Sequence, residues 1–394
     1  MGGPPLTDVV LAGAVRTPVG KYGRAFRNVE AVKLGSLVVA EAVSRAGLVG
    51  ADIEEVILGN VLQAGLGQNP ARQAALFGGL PDRVGAQTVN KVCGSGLQAV
   101  MSASDMIRAG SAEVLVAGGM ESMSRAPYLV KEARWGVGIN NVQFIDAMVH
   151  DGLWDVFNQF HMGITGEIVS ERFHVTREEM DAFALESHRR AARATQDGKF
   201  KEEILPVDVP GASRVEADEG IRQDTSMEKL ARLPPVFREG GLVTAGNASQ
   251  LSDGAAAMVV LSRDAAERHG VKPVARVIDY TTAGVKPEWV MEAPIPGVRK
   301  LLKRTGLGIE EIDLFEHNEA YAAASVAVMR ELGIPHDRFN VNGGAVAMGH
   351  PIGCSGARVL TTLMYAMKDR GAKRGLATLC LGGGNAVSMI IERP

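Results

Sequence analysis

Three groups in this sequence could act as nucleophile or base: the thiols of Cys93 and Cys380 and the imidazole of His350. Cys93 stands in Val89-Asn90-Lys91-Val92-Cys93-Gly94-Ser95-Gly96. Apolar Val89 and Val92 suggest the end of a strand, Gly94 and Gly96 allow a sharp turn, and Leu97 to Met106 reads as a helix without a breaker. A thiol at that junction meets unpaired backbone N–H groups and the positive end of a helix dipole, which favour the thiolate. The competing reading is a small buried cysteine that only fills space. His350 lies in the turn Gly349-His350-Pro351-Ile352-Gly353-Cys354-Ser355-Gly356, again ahead of a helix. A nucleophilic cysteine needs a neighbouring base, and this turn matches the Cys93 turn elsewhere in the chain. Cys380 closes the apolar run Leu379-Cys380-Leu381 as a second exposed thiol, before Gly382-Gly383-Gly384-Asn385. Those glycines fit neither a P-loop nor a dinucleotide fingerprint. They leave backbone N–H groups, Gly382 first, free to approach a carbonyl oxygen. Asn318, in His317-Asn318-Glu319-Ala320-Tyr321, is either a helix N-cap or the holder of a water or substrate oxygen. Cys354 follows His350 inside a packed turn and reads as structural.

The elements that must position these groups follow from pattern. Val9 to Ala14 is expected as a strand, Leu34 to Ala46 as a helix, Ile53 to Leu58 as a lead into a strand, and Pro70 to Phe77 as a helix with proline in its first turn. Glu113 to Ala117 reads as a buried strand stopping at Gly118-Gly119. The order then recurs. Arg45 to Asn60 is echoed by Arg304 to Asn318, Val89-Asn90 with Cys93-Gly94-Ser95-Gly96 by Val341-Asn342 with Cys354-Ser355-Gly356, and Gly118-Gly119 by Gly382 to Gly384. Three landmarks in one order point to two related α/β halves, each a sheet covered by helices. The middle segment, Glu121 to Leu251, is long enough to be functional or a small domain of its own. In it, Thr176 to Asp197 reads as a charged amphipathic helix and Pro206 to Asp224 as irregular. Leu251 to Leu261 returns to strand-like hydrophobicity.

Bulk properties narrow the class. The chain has 394 residues, 46% hydrophobic and 22% charged, with a net charge of −3. That describes a globular protein with ample core and gives no reason to expect nucleic acid or a polybasic membrane anchor. No apolar run approaches a membrane span. Met1 to Asp8 carries no basic region followed by an apolar one, so a cytoplasmic location is expected. Three cysteines without zinc-like spacing argue against a disulfide framework and against a metal site.

With these motifs together, the sequence resembles the thiolase family over essentially its whole length. The matching stretches are Asn90 to Gly96, Gly118-Gly119-Met120-Glu121-Ser122-Met123-Ser124, Asn318-Glu319-Ala320-Tyr321, Gly349 to Gly356 and Cys380 to Gly384. The resemblance implies an α/β fold of duplicated βαβαβαββ halves in a layered αβαβα core. Residues 1–120, completed by 252–273, would form the first half, 121–251 an inserted loop domain, and 274–394 the second half. It implies that Cys93 carries the acyl group, that His350 takes its proton, and that Cys380 removes or returns the α-proton of acetyl-CoA. His350 with a water held by Asn318 would form one oxyanion hole, and the N–H groups of Cys93 and Gly382 the other. Coenzyme A would be substrate and product, with no permanently bound cofactor.

The stretch His161-Met162-Gly163-Ile164-Thr165-Gly166-Glu167 looks like the short-chain type, in which Met162 closes the acyl pocket and His161 lines it. Leu153, Ala245, Ser249, Ala320 and Tyr321 match pantetheine contacts, while Arg222 and Phe237 match the adenine end. Three positions depart from the common form. Tyr321 replaces Phe and adds a hydroxyl near the pocket, Gly166 replaces Ala, and Asn385-Ala386 replaces Met-Gly or Gln-Gly. Acyl-CoA substrates are the expected partners, and a homodimer or homotetramer is expected, since Trp135 to Phe144 resembles a tetramer-forming loop. The alternatives are a degradative thiolase for longer 3-ketoacyl chains, a carrier-dependent ketosynthase, against which Cys380 argues, and a lipid-binding protein without turnover, against which the full set of reactive groups argues.

Overall fold

The computed structural model describes residues 7–394 except 210 and 212. Most of the leading stretch read for a targeting signal therefore lies outside the described residues, as do two positions of the polar stretch 206–224. The chain builds nine long strands: β1 (Val9–Arg16), β2 (Glu55–Gly59), β3 (Gly85–Val89), β4 (Val114–Ser122), β5 (Ser252–Ser262), β6 (Ala275–Gly284), β7 (Leu314–His317), β8 (Arg374–Leu381) and β9 (Asn385–Glu392). They hydrogen-bond in the order β7-β8-β9-β6-β1-β5-β4-β2-β3.

The duplication is visible in that order. In the first half β1 pairs antiparallel with β5 and β5 antiparallel with β4, while β4, β2 and β3 run parallel. In the second half β6 pairs antiparallel with β9 and β9 antiparallel with β8, while β8 and β7 run parallel. The counterpart of β3 survives only as the single parallel bridge Phe315 to Phe339. A short antiparallel contact, Val10 to Arg276 and Leu11 to Ala275, joins the halves.

Alternation along the strands sorts side chains into layers. Leu115, Ala117, Met258 and Val260, with Leu379 and Met389, face a central cluster made by helices α1 (Ser95–Arg108) and α2 (Ser355–Arg370). Val114, Val116, Val259 and Leu261 face the helix Ala31–Arg45 on one outer side. Leu376 and Cys380 face Pro294–Thr305 and Ala322–Leu332 on the other. The result is helix, sheet, helix, sheet, helix. The sandwiched helices α1 and α2 touch near their N-termini. A Cβ on Gly96 would lie 2.6 Å from the Ala357 nitrogen, and one on Gly356 2.2 Å from the Leu97 nitrogen. Only glycine permits backbones to approach so closely.

Two expectations change. The strand expected to stop at Gly118-Gly119 runs on to Ser122, because Gly118 to Ser122 stay paired with Ala257 to Asp253. Gly119 is glycine to make room: its Cβ would meet the Gly353 carbonyl oxygen at 2.1 Å. Asn318 is not a helix N-cap, since that helix starts at Ala322 with Tyr321 in the cap position. By contrast, the charged helix in the middle segment spans Arg177–Gln196, and Thr176 caps it with Glu179 in reciprocal hydrogen bonds.

At the end of β4, the buried Glu121 carboxylate joins the halves. It accepts from the Val61 and Leu62 backbone N–H groups at 3.0 and 3.2 Å, from Asn60 Nδ2 at 2.9 Å, and from the Gly353 N–H of the second half at 2.9 Å. Burial and then the Asp253 charge push its pKa to about 7, against the pull of these donors. Glu121→Ala would strand four buried donors, each costing about 1–3 kcal/mol. Urea denaturation should show a loss of at least about 3 kcal/mol relative to the unaltered protein.

Candidate active site

Cys93 lies two residues ahead of α1, in a loop fixed by its neighbours' side chains. Asn90 Oδ1 accepts from the Val92 N–H at 3.0 Å, Ser95 Oγ accepts from the Lys91 N–H at 2.8 Å, and the Ser95 hydroxyl donates to the Val92 carbonyl at 2.6 Å. The left-handed residue of the turn is Val92, with φ 46°, and not Gly94, whose φ is −88°. A β-branched residue in that region stores about 1–3 kcal/mol of strain. The sequence suggested that Gly94 made the turn. Instead Gly94 is small because its Cβ would strike the Leu381 side chain at 2.1 Å.

His350 is held from the first half and from its own helix. Its N–H donates to the Gln250 carbonyl at 2.9 Å and the Ser252 hydroxyl oxygen at 3.2 Å. The Ser355 hydroxyl donates to the Pro351 carbonyl at 2.9 Å, so Ser355 Oγ, 2.6 Å from His350 Nδ1, accepts from Nδ1–H. Nε2 then carries the lone pair, and Asn318 Nδ2, 3.3 Å away, donates to it. This assignment follows from the hydrogen-bond pattern. Asn318 Oδ1 is buried without a protein partner among the described residues.

Cys380 ends β8 beside the end of β7, and the two strands run parallel, so the Asn318 and Cys380 backbones emerge at one sheet edge. The expectation of an exposed thiol fails: Cys380 is 2% exposed, because strand alternation turns it into the outer hydrophobic layer. Its sulfur lies 3.7 Å from the Met291 sulfur.

Cys93, His350, Cys380 and Gly382 line one cavity with Leu153, Met162, Ser249, Ala320 and Tyr321. The space between them is small, about 50 Å³, room for a few waters or a short acyl group. Val92, Gly152, Val290, Met291 and Ile352 complete the wall, and the sequence reading missed them. His161 and Phe237 stand behind the wall, stacked at 4.8 Å, with the Phe237 ring edge-on to Tyr321 at 6.1 Å. Ala245 is exposed, and Arg222, whose N–H donates to His188 Nδ1 at 3.1 Å, is half-buried; neither lines the cavity. The cavity adjoins a groove of about 510 Å³ that shares Val92, Gly152, Met162 and Gly382 with it and continues past Gln63, His150, Trp154 and Phe157. No cluster of three metal-ligating side chains occurs among the described residues.

Burial dominates the electrostatics. It pushes the Cys93 thiol up to about 12, although the Gly382 and Cys93 backbone N–H groups act to lower it. Burial, and then the charge of Cys93, push the Cys380 thiol up as well. Burial, and then Arg358, bring His350 down to about 3. Burial thus opposes the thiolate that the helix dipole favours, and it favours a neutral thiol beside a neutral imidazole.

Family models described as "Thiolase, N-terminal domain" and "Thiolase, C-terminal domain" match residues 9–264 and 271–393. The chain belongs to the thiolase family. It is 50% identical to an acetyl-CoA acetyltransferase of Syntrophomonas wolfei over 392 residues, 98% of this chain and 99% of the relative. It is 49% identical to a probable acetyl-CoA acyltransferase of Staphylococcus aureus strain COL, covering 98% of this chain and all of that relative. The crystal structure of the Bacillus anthracis acetyl-CoA acetyltransferase superposes over the whole of both chains with a TM-score of 0.97 at 42% identity. The layered, doubled architecture described above is thus the thiolase fold.

A neutral thiol makes a specific prediction for this thiolase site. At pH 7 the ligand-free protein should show no Cys93 thiolate absorbance near 240 nm. Iodoacetamide should alkylate Cys93, which is half-buried, before Cys354 and Cys380, at a rate still climbing above pH 9. A rate that levels off below pH 7 would mean a preformed thiolate.

Proposed function

We propose that the protein is an acetyl-CoA C-acetyltransferase, cleaving acetoacetyl-CoA with coenzyme A or forming it from two acetyl-CoA. The observation carrying this reading is that two thiols and one imidazole, from separate elements of both halves, line a single short cavity. The relative at 50% identity is named an acetyl-CoA acetyltransferase, and the one at 49% a probable acetyl-CoA acyltransferase.

The chemistry follows from the resting protonation states. In cleavage, His350 Nε2 takes the Cys93 proton as the sulfur attacks the keto carbon. The new Nε2–H⁺ becomes a donor where a lone pair stood. The oxygen on the attacked carbon turns to the Cys93 and Gly382 N–H groups, which already point at the sulfur. The departing enolate is stabilised by His350 and by the Asn318 amide, and it takes the Cys380 proton to become acetyl-CoA. Coenzyme A then attacks the acyl-Cys93, its proton passing to Cys380, and His350 returns its own proton to the released Cys93. Protons balance over the cycle, and covalent storage divides one carbon–carbon cleavage into two displacements. Leu153, Ser249, Ala320 and Tyr321 would hold the pantetheine arm at the cavity wall, with Met162 closing the acyl pocket and His161 and Phe237 buttressing it from behind. Arg222 and Ala245 would act further out, toward the nucleotide.

One observation favours a second reading, a thiolase for longer 3-ketoacyl chains: the groove beside the catalytic cavity has room for them. Thiolysis rates on acetoacetyl-CoA and 3-oxooctanoyl-CoA decide between the two. The short-chain reading expects acetoacetyl-CoA to be faster by at least about tenfold, about 1.4 kcal/mol of barrier. Cys93→Ala should cost at least about 10⁴-fold in either direction. His350→Ala should cost about 10²–10⁴-fold. Full activity in Cys93→Ala would end the covalent mechanism.

A self-associating form is part of the same proposal. Tyr128, Trp135, Ile139 and Phe144 lie on one segment and are 64%, 90%, 105% and 66% exposed. Apolar side chains this exposed on one short segment suit burial against another copy. Light scattering should give a dimer or tetramer, and Trp135→Ser with Ile139→Asp should halve the mass of a tetramer; an unchanged mass would place the interface elsewhere. No helix among the described residues is long and apolar enough to cross a membrane.

A further inference from the structure

The catalytic cavity holds two hydroxyls that the mechanism above leaves idle, Ser249, placed against the pantetheine arm, and Tyr321, whose neighbours are the reactive groups. Tyr321 is 8% exposed and lines the cavity with both reactive sulfurs. Burial, then the charges of Cys93 and Cys380, raise its pKa, so it is a neutral donor lying near both sulfurs. Its hydroxyl has no hydrogen-bond partner among the described residues. The surrounding wall is apolar: Val92, Leu153, Met162, Val290, Met291 and Ile352.

The ring has a built seat. Phe237 packs edge-on at 89° on one side. On the other is Gly166, where a Cβ would lie 3.0 Å from Tyr321 Cγ, 3.2 Å from Cδ1 and 3.1 Å from Val243 Cγ2. A methyl group there would crowd the ring and Val243, and one of them would have to give way. Two of the positions at which the sequence departs from the common form, 166 and 321, therefore meet in space and act as one feature.

A donor that opens on an apolar cavity is left to water until a ligand supplies an acceptor. The two thioester-derived oxygens of the reaction already have donors, at His350 with Asn318 and at the Cys93 and Gly382 N–H groups. Acetoacetyl-CoA offers no third oxygen near the sulfurs. Resting on the thiolase reading above, we propose that this site selects 3-oxoacyl-CoA substrates whose transferred acyl group bears a further hydroxyl or carbonyl oxygen, which accepts a hydrogen bond from Tyr321. Sites built to pair with a substrate oxygen discriminate strongly against the analogue lacking it.

An isosteric pair tests this: 5-hydroxy-3-oxopentanoyl-CoA and 3-oxohexanoyl-CoA, which differ by a hydroxyl in place of a terminal methyl. Thiolysis kcat/KM is measured for both, with acetoacetyl-CoA alongside, on the unaltered enzyme, Tyr321→Phe and Gly166→Ala. The unaltered enzyme is expected to favour the hydroxylated substrate by about tenfold or more. The ratio should fall to one or below in Tyr321→Phe. It should also fall in Gly166→Ala, which keeps the hydroxyl but crowds the ring. A ratio near one in the unaltered enzyme, or one that survives Tyr321→Phe, overturns the inference. An unchanged ratio in Gly166→Ala overturns the assigned seat. Acetoacetyl-CoA separates the two levels: if it is cleaved while the ratio stays near one, only this inference fails, whereas no cleavage of any of the three substrates means that the thiolase reading itself fails.

Discussion

The catalytic geometry depends on one backbone-to-backbone contact, where α1 and α2 meet at Gly96 and Gly356. Each helix follows a turn that carries a reactive group, Cys93 in one half and His350 in the other. Bringing the helix N-termini within contact of each other forces those turns together. Any side chain at either glycine would hold them apart by more than the reaction tolerates, since misplacement of about 1 Å can cost 10²-fold in rate. Glu121 then fixes the remaining freedom, because its carboxylate binds the Gly353 N–H of one half and the Val61 and Leu62 N–H groups of the other. The buried Ser252 adds a second tie from β5 to the His350 N–H.

Desolvation, rather than the helix dipole, sets the reactivity of this site. A helix N-terminus lowers the energy of an adjacent anion by at most about 2 kcal/mol. Burial pushes the Cys93 thiol up to about 12 even with the Gly382 and Cys93 N–H groups pulling it down. Burial therefore opposes the dipole, which suits the proposed route in which Cys93 rests as a thiol and gives its proton to His350 when substrate arrives. The same desolvation keeps Cys380 protonated, which suits a group that must first give up a proton and then recover it. Val92 adds strain to the nucleophile's loop, held there by Asn90 and Ser95.

Much of this was legible in the residues. The repeated order of motifs exposed the two halves, and apolar periodicity located the helices and strands that carry Cys93, His350 and Cys380. Short-range pattern could not reveal what depends on distant contacts. Gly118-Gly119 looked like a strand end, yet the strand continues, since pairing with Asp253 to Ala257 is a long-range property. Cys380 looked accessible before its glycines, but alternation along β8 buries it. The left-handed Val92 broke the expectation that glycine makes the turn, because two side chains fix the loop from outside it. Met291 reaches Cys380 from a segment 89 residues away in sequence, and no local signal connects them.

Cys354 shows what the doubling left behind. It stands at the head of α2 much as Cys93 stands at the head of α1, but it is 1% exposed and packed in the central cluster. The second copy of the nucleophile position has become filler, and the turn beside it has supplied the base instead. In the proposed mechanism a scaffold with twofold character thus offers a single loading point, and each polypeptide would hold one acyl equivalent.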